Sequence, residues 1–518
     1  MKTALTAALL LVMSLFAATA SAQTLYERGN STDPVTLDPQ LSVSAAEANI
    51  LRDLYEGLVI HSPDGLLVAG VAESWEVSAD GLVWTFHLRD SDWSDGSPVT
   101  AADFVHAFRR LFDPALEAPD ARLFLTIAGA ADARSGEAKT DTVGVRAVDD
   151  RTLTITLAEP TPQLLQLLAR PSALPVHRDL AEVPAVPDLD SPFNGAYRFD
   201  GFVPGDGTYL IKNLTYYAAG TVYFDTVIYR PFEIQLAMQA FINGTLLSNN
   251  DVAIFGLADR AEELADSLRH TRFLGTFFLA TNLDGPLEDA RVRRAVALAI
   301  DRNRLATEIW RDTVFATRAI LPADMPTYPV PAETDLGANE RDERVATAIA
   351  LLDDAGFTAA NPLTLTLAIP ATQINGLTAQ AIAEDLAEAG ITLNILDRDP
   401  GEHYDAIGVA DDYDLATVAW IGDSEHPVDV LGLFDEAGGR FTAYANPEYD
   451  ALLAEAALTA DRTVATALYA AADRLLVRDL PAIPLLQYGA YNLVSPRLAG
   501  FEDNVVDVHL TRWLSLAQ

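Results

Sequence analysis

The 518-residue sequence has no cysteine, only three lysines (Lys2, Lys139 and Lys212), and no apolar run of membrane-spanning length beyond its N-terminus. Without thiols there is no disulfide framework, no thiolate metal site and no cysteine to carry a lipid beside a leader cleavage site. The scarcity of basic residues, 35 against 74 acidic ones for a formal charge of −39, argues against nucleic acid, whose phosphates demand clustered Lys and Arg. An acidic, well-solvated surface is the expected consequence. The eight histidines, at 61, 87, 106, 177, 270, 403, 426 and 509, form no helical i, i+4 pair of the kind that holds zinc. Asp397, Asp399 and Glu402 lack complete calcium-loop spacing and read as a solvated turn. There is no Gly-x-Ser-x-Gly elbow and no phosphate-cradling glycine loop, so neither catalytic residues, a metal nor a cofactor is expected. No repeat of about 20 to 50 residues recurs, which removes solenoids and propellers.

What is present begins with an export signal. Lys2 precedes an apolar stretch from Ala4 to Phe16 and the small-residue triplet Ala20, Ser21, Ala22, so cleavage before Gln23 is expected, leaving residues 1–22 as signal peptide. The apolar stretch is shorter than the roughly 20 residues needed to cross a bilayer. The remaining chain exceeds what one core usually supports, and two or three domains are expected.

Alternating patterns at Val83–Leu88 and Thr152–Leu157, punctuated by Asp80-Gly81, Asp95-Gly96 and Asp149-Asp150, predict half-buried antiparallel strands. Glu73–Val77 joins Leu82–Leu88 in a hairpin whose Trp75, Trp84 and Phe86 are packing residues. Thr100 starts a helix from Ala101 to Phe112 with Phe104, Phe108 and Leu111 on one face. Further along, the periodicity predicts helices over Asp289–Leu305 and Arg341–Ala355, the latter with a stripe of Val345, Ile349 and Leu352 and a cap at Gly356. A strand at Leu363–Ile369, a helix at Thr378–Ala389 ended by Gly390, and a strand at Ile391–Ile395 form an α/β unit.

Two stretches carry a resemblance to a known family: TLDPQLSVSAAEANILRDLYEGLVI at 36–60 and AESWEVSADGLVWTFHLRDSDWSDGSPVTAADFVHAFRRLFDP at 72–114. With VRAVDDRTLTITLAEPTP from Val145, NGAY from Asn194, DARVRRAVALAIDRNRL from Asp289, ALLDDAGF from Ala350 and LPAIPLLQYGAYNLVSPRLAGF from Leu480, the chain resembles extracellular solute-binding proteins of family 5, particularly the oligopeptide-binding members that serve peptide ABC transporters. The resemblance implies an α/β, two-lobed periplasmic binding protein fold, class II and of the three-domain oligopeptide-binding type, with ligand buried in the interlobe cleft. It places lobe I in residues 23–55, 186–280 and 489–518, a second domain at 56–185 packed on it, and lobe II at 281–488, with hinges near Thr281 and Tyr488. The expected protein is a monomer that takes short peptides in the periplasm and hands them to permease subunits in the inner membrane.

The same resemblance assigns a site. In TVAWIGDSEHP, residues 417–427, Asp423 matches the carboxylate that pairs with the α-ammonium of a bound peptide, and Trp420 either lines a side-chain pocket or packs within the lobe. Asp423 read locally is also an ordinary turn residue. Ligand main chain is expected against Val43, Ser44 and Ala45 on one side and Ala419, Ile421 and Gly422 on the other, as an added strand. One departure stands out: where relatives carry basic residues for the peptide carboxylate, this chain has Gly408, Val409, Ala410, Asp411, Asp412 and Thr417. His403 or Arg440 takes that role, or else the ligand is longer, cationic or without a free carboxylate. Nickel complexes, haem, glutathione, murein peptides and oligosaccharides are the alternative solutes, and a periplasmic peptidase or chaperone is the more distant one.

Overall fold

In the computed structural model, residues 23–517 are described, except 181, 251–263, 329, 334–335, 337–339, 436–438, 440 and 460. The expected signal peptide and Arg440 lie outside the described residues. Strand β1 (Leu25–Gly29), helix α1 (Ala45–Leu54) and a short hairpin of β2 (Val59–His61) and β3 (Leu67–Ala69) lead into a separate antiparallel sheet. That sheet is built from β4 (Ala72–Val77), β5 (Val83–Leu88), β6 (Val145–Asp149) and β7 (Thr152–Thr156), in the order β4-β5-β7-β6. Its first turn works as the sequence implies: Gly81 sits at φ +71°, where a Cβ is disfavoured, and its N–H donates to Ser78 O at 2.9 Å. Every second residue of β5 is buried, with Phe86 fully so and stacked on Trp84.

Helix α2 (Ala101–Leu111) starts where the Thr100 N–H donates to Asp103 Oδ2 at 2.7 Å, and Phe104, Phe108 and Leu111 are all buried against the sheet. After it come β8 (Tyr197–Val203), β9 (Gly207–Lys212), β10 (Thr226–Arg230), β11 (Ser248–Asn249) and the 14-residue β12 (Leu268–Thr281). The second half holds α3 (Ala290–Ala299), β13 (Val314–Ala316), α4 (Arg341–Asp354), β14 (Thr364–Pro370), α5 (Gln373–Glu388), β15 (Thr392–Arg398), β16 (Leu415–Ile421) and the 13-residue β17 (Ala482–Val494). One eleven-stranded sheet collects most of these, in the order β15-β14-β16-β12-β17-β11-β1-β10-β9-β8 with β13 beside β17.

Three local expectations differ in detail. The helix expected over Asp289–Leu305 stops at Ala299, because Ile300 is extended and the Asp301 carboxylate accepts from the Asn303 and Arg304 N–H groups, capping a new turn. Helix α4 buries Ala348 and Leu352 while Ile349 is exposed, so its core-facing stripe is rotated from the expected one. Helix α5 starts five residues earlier than Thr378, at Gln373, because the Thr372 hydroxyl caps it through the Asn375 N–H. The strand, helix, strand unit stands as expected, with β14 and β15 paired in parallel from Thr364↔Thr392 to Pro370↔Arg398.

The core is divided. One large cluster draws on residues from Tyr26 to Leu247 and from Val494 to Leu514, and joins the small sheet to β1, β8, β9 and β10. Two others are built almost wholly from Leu274 to Leu486. Strands β12 and β17 join these halves, paired from Leu268↔Leu493 to Ala280↔Ala482. Their register shifts between Arg272↔Gly489 and Thr276↔Gln487, so Phe273, Leu274 and Gly275 stand opposite Tyr488 alone. The buried Gln487 side chain locks this bulge, donating to Phe273 O and Ala323 O and accepting from the Ala323 N–H, each at 3.1 Å. A Cβ at Gly489 would stand 2.4 Å from His270 Nε2, so only glycine fits there. Pairing of β12 with β16 begins at Gly275, six residues before Thr281.

Candidate functional site

A cavity of about 860 Å³ opens where the two halves face each other across the bulge. One wall is α1 and the loop before it, including Val43, Ser44, Ala45 and, in the last turn, Arg52; another carries Arg122 and Arg170; the opposite one presents Phe273, Trp310 and Tyr488. Mixed apolar and polar walls of this size suit a small solute.

The first wall is shaped by Glu47. Its carboxylate accepts the N–H groups of Val35, Thr36, Val43 and Ser44 at 3.0–3.2 Å, while Ser44 Oγ accepts the Glu47 N–H, a reciprocal cap of α1. Burial opposes ionisation of Glu47, but the hydrogen bonds from Val43, Thr36 and Ser44 outweigh it and hold the carboxyl below its usual range. Two of the main-chain donors expected to meet a ligand, on Val43 and Ser44, are therefore already spent. The Val43 carbonyl and the Ala45 N–H are left without a partner among the described residues.

The other expected edge is β16. It pairs with β14 only at Leu415 and Ala416, so its outer edge from Thr417 onward has no neighbouring strand. The Gly422 N–H points the other way, to Leu274 O at 3.0 Å, and alternation turns Thr417, Ala419 and Ile421 to the open edge. Helix 400–406, capped by Asp399, covers part of it: His403 Nε2 lies 2.8 Å from Thr417 O. Ile421 is exposed. His403 is fully buried and burial lowers its pKa, so it is a neutral structural ring and not a cation for a carboxylate. Trp420 packs edge-on to Phe441 at 5.9 Å.

Asp423 does not line the cavity itself but sits at its rim, one hydrogen bond away. Arg122 Nη1 and Nη2 donate to its two oxygens at 3.2 and 3.3 Å, and Arg170 Nη1 donates to its main-chain carbonyl at 2.9 Å. Arg170 is itself paired to Asp120 at 3.1 Å. The Asp423 N–H donates to Asp429 Oδ2 at 3.0 Å, and burial, reinforced by the Asp423 charge, pushes the Asp429 carboxyl up to about 7. Next along, Glu425 lies 3.4 Å from His61. Arg52, Arg122 and Arg170 were not singled out from the sequence: each is a loop or helix-end arginine that acquires meaning only when distant segments meet.

A description of the bacterial extracellular solute-binding proteins, family 5 Middle, matches residues 67–441. The chain belongs to this family. Family 5 relatives include the periplasmic oligopeptide-binding protein OppA of Salmonella typhimurium, 31% identical over 503 residues, 93% of this chain and 90% of the relative. Among solved family 5 structures, the unliganded open form of the murein tripeptide-binding protein MppA superposes with a TM-score of 0.90 at 27% identity, covering 96% of this chain and 98% of the other. Haemophilus influenzae OppA in complex with the peptide RPPGFSPFR, also 27% identical and covering 96% of this chain and 100% of the other, gives 0.67. Equal identity with unequal superposition means that the halves of this family 5 chain are arranged as in the open form. Among the described residues no helix is long and apolar enough to cross a membrane, and no cluster of His, Asp and Glu is arranged to hold a metal ion.

Proposed function

We propose that this family 5 protein is the periplasmic substrate-binding component of an ABC importer, exported by a cleaved leader, and that it captures short peptides and delivers them intact to permease subunits. The observation that carries the reading is an acid at the rim of a peptide-sized cleft, Asp423, already holding a cation in the form of Arg122. A peptide α-ammonium takes the same carboxylate by a charge-assisted hydrogen bond. The peptide main chain then uses the Val43 carbonyl and Ala45 N–H on one side and the Ala419 carbonyl and Ile421 on the other, the groups the scaffold leaves open. Gly422, turned toward β12, and Trp420, packed on Phe441, shape the strand end without touching ligand.

The proposed domain division is 23–55, 186–280 and 489–518 as one lobe, 56–185 packed on it, and 281–488 as the other; one core cluster spans the first two of these, while the residues from Leu274 onward pack with the last, which favours the bulge at 272–276 opposite Tyr488 as hinge over Thr281. Ligand bridging the halves shifts the population toward a closed form. The test is incubation of the purified protein with a defined peptide mixture followed by mass spectrometry. Retained, uncleaved peptides support the reading; cleaved peptides point to a peptidase, and no retention points to another solute.

A further inference from the structure

Resting on the peptide reading, we propose that the cleft has a second, carboxylate-recognising pole at Arg52, so that the favoured ligand carries an acidic group within one or two residues of its ammonium. Arg52 lies in the last turn of α1, lines the cavity and is mostly withdrawn from solvent. It makes no hydrogen bond or ion pair with any described residue, and its Nε is buried without a partner. The neighbouring arginines are all engaged: Arg122 with Asp423, Arg170 with Asp120 and the Asp423 carbonyl, and Arg28 with Asn250 and the His509 carbonyl.

Guanidinium keeps its proton in proteins, so an unpaired one facing a cavity is an uncompensated charge aimed at whatever fills it. Burial first, then the proximity of Arg170, pulls the Arg52 pKa down to about 10, more than the charge of Glu425 restores. A helix C-terminus welcomes a cation through its dipole, but that gives the terminal guanidinium N–H groups no acceptor. A ligand carboxylate supplies one, in the forked geometry that arginine favours.

The position sets the ligand's shape. Arg52 lines the same cavity as Arg122 and Arg170, and both of those are bonded to Asp423. The carboxylate pole therefore opens onto the same cavity whose rim holds the ammonium pole, and an extended chain advances only about 3.5 Å per residue. Dipeptides, and peptides with Asp or Glu in the first two positions, satisfy both. The same arrangement accounts for the absence of basic residues at 408–412: the carboxylate is met from the opposite wall.

Calorimetry of the intact protein with Ala-Phe and with Ala-Phe-amide tests this. Wild type should bind the free acid at least about tenfold more tightly than the amide, the scale of one hydrogen bond to a charged group. R52Q should bind both alike, at the amide's affinity, and R52K should keep part of the preference. Equal wild-type affinity for acid and amide, or an R52Q that still discriminates, overturns the pole at Arg52 and leaves the peptide reading standing. If neither these dipeptides nor any member of a peptide mixture binds, both fall together. The wild-type comparison and R52K keep the question answerable should R52Q fail to fold.

Discussion

Arg122 and Asp423, 301 residues apart in sequence, face each other with Nη1 donating to Oδ2 at 3.2 Å and Nη2 donating to Oδ1 at 3.3 Å. The pair joins the two halves of the molecule at the edge of the cleft, and it leaves the acid occupied by an internal cation before any ligand arrives.

Asp423→Asn is expected to weaken peptide binding by about 2–5 kcal/mol, since a buried ammonium then lacks its counter-charge. Calorimetry against the tightest-binding peptide measures it, with unchanged thermal unfolding as the control for folding.

Arg122→Gln is expected to act in the opposite direction. Arg122 is 63% exposed, so its pair with Asp423 is worth at most about 1 kcal/mol, and removing the competitor tightens peptide binding by no more than about fivefold. A loss of affinity in the same calorimetric titration would mean that Arg122 contacts the ligand instead.

Asp429 makes stability depend on pH. Its carboxyl rises from 3.8 unfolded to about 7 folded, so the native chain keeps a proton that the unfolded chain has lost. The contribution is complete below about pH 4 and is lost as pH climbs through 7. Thermal unfolding at pH 5 and pH 8 should therefore show a larger drop for wild type than for Asp429→Asn. His426, lowered to about 4 mainly by burial, and Asp473, raised to about 6, also titrate in this range, so the wild-type-minus-variant difference is the quantity to read.

Gln487→Leu is expected to cost about 1–3 kcal/mol in denaturant unfolding, because the Phe273 and Ala323 groups it satisfies are left unpaired in the bulge.

Local features were legible in the sequence where local physics decides them. The β4–β5 hairpin follows from alternation around Asp80-Gly81, and α2 from Thr100 and the Phe104, Phe108, Leu111 face. The break at Ile300 was not, since Asp301 is fixed by a long-range bond from its N–H to Asp385, 84 residues away. The site divides in the same way. Val43, Ser44 and Ala45 do line the cavity, but that Glu47 consumes two of their donors depends on how the preceding loop folds back. Nothing near Arg122 or Arg170 in the sequence signals that they meet the residue after Gly422.

The long partnership of β12 with β17 has a mechanical consequence. Two antiparallel strands bonded along roughly 45 Å form a ribbon that twists readily and resists stretching or sliding. Rotation about the ribbon is the motion of one half against the other that the proposed hinge implies. In such a rotation Asp423, one residue beyond the Gly422 N–H that is tied to Leu274, would stay close to that axis and travel little, while the far lips of the opening would sweep the longest arc.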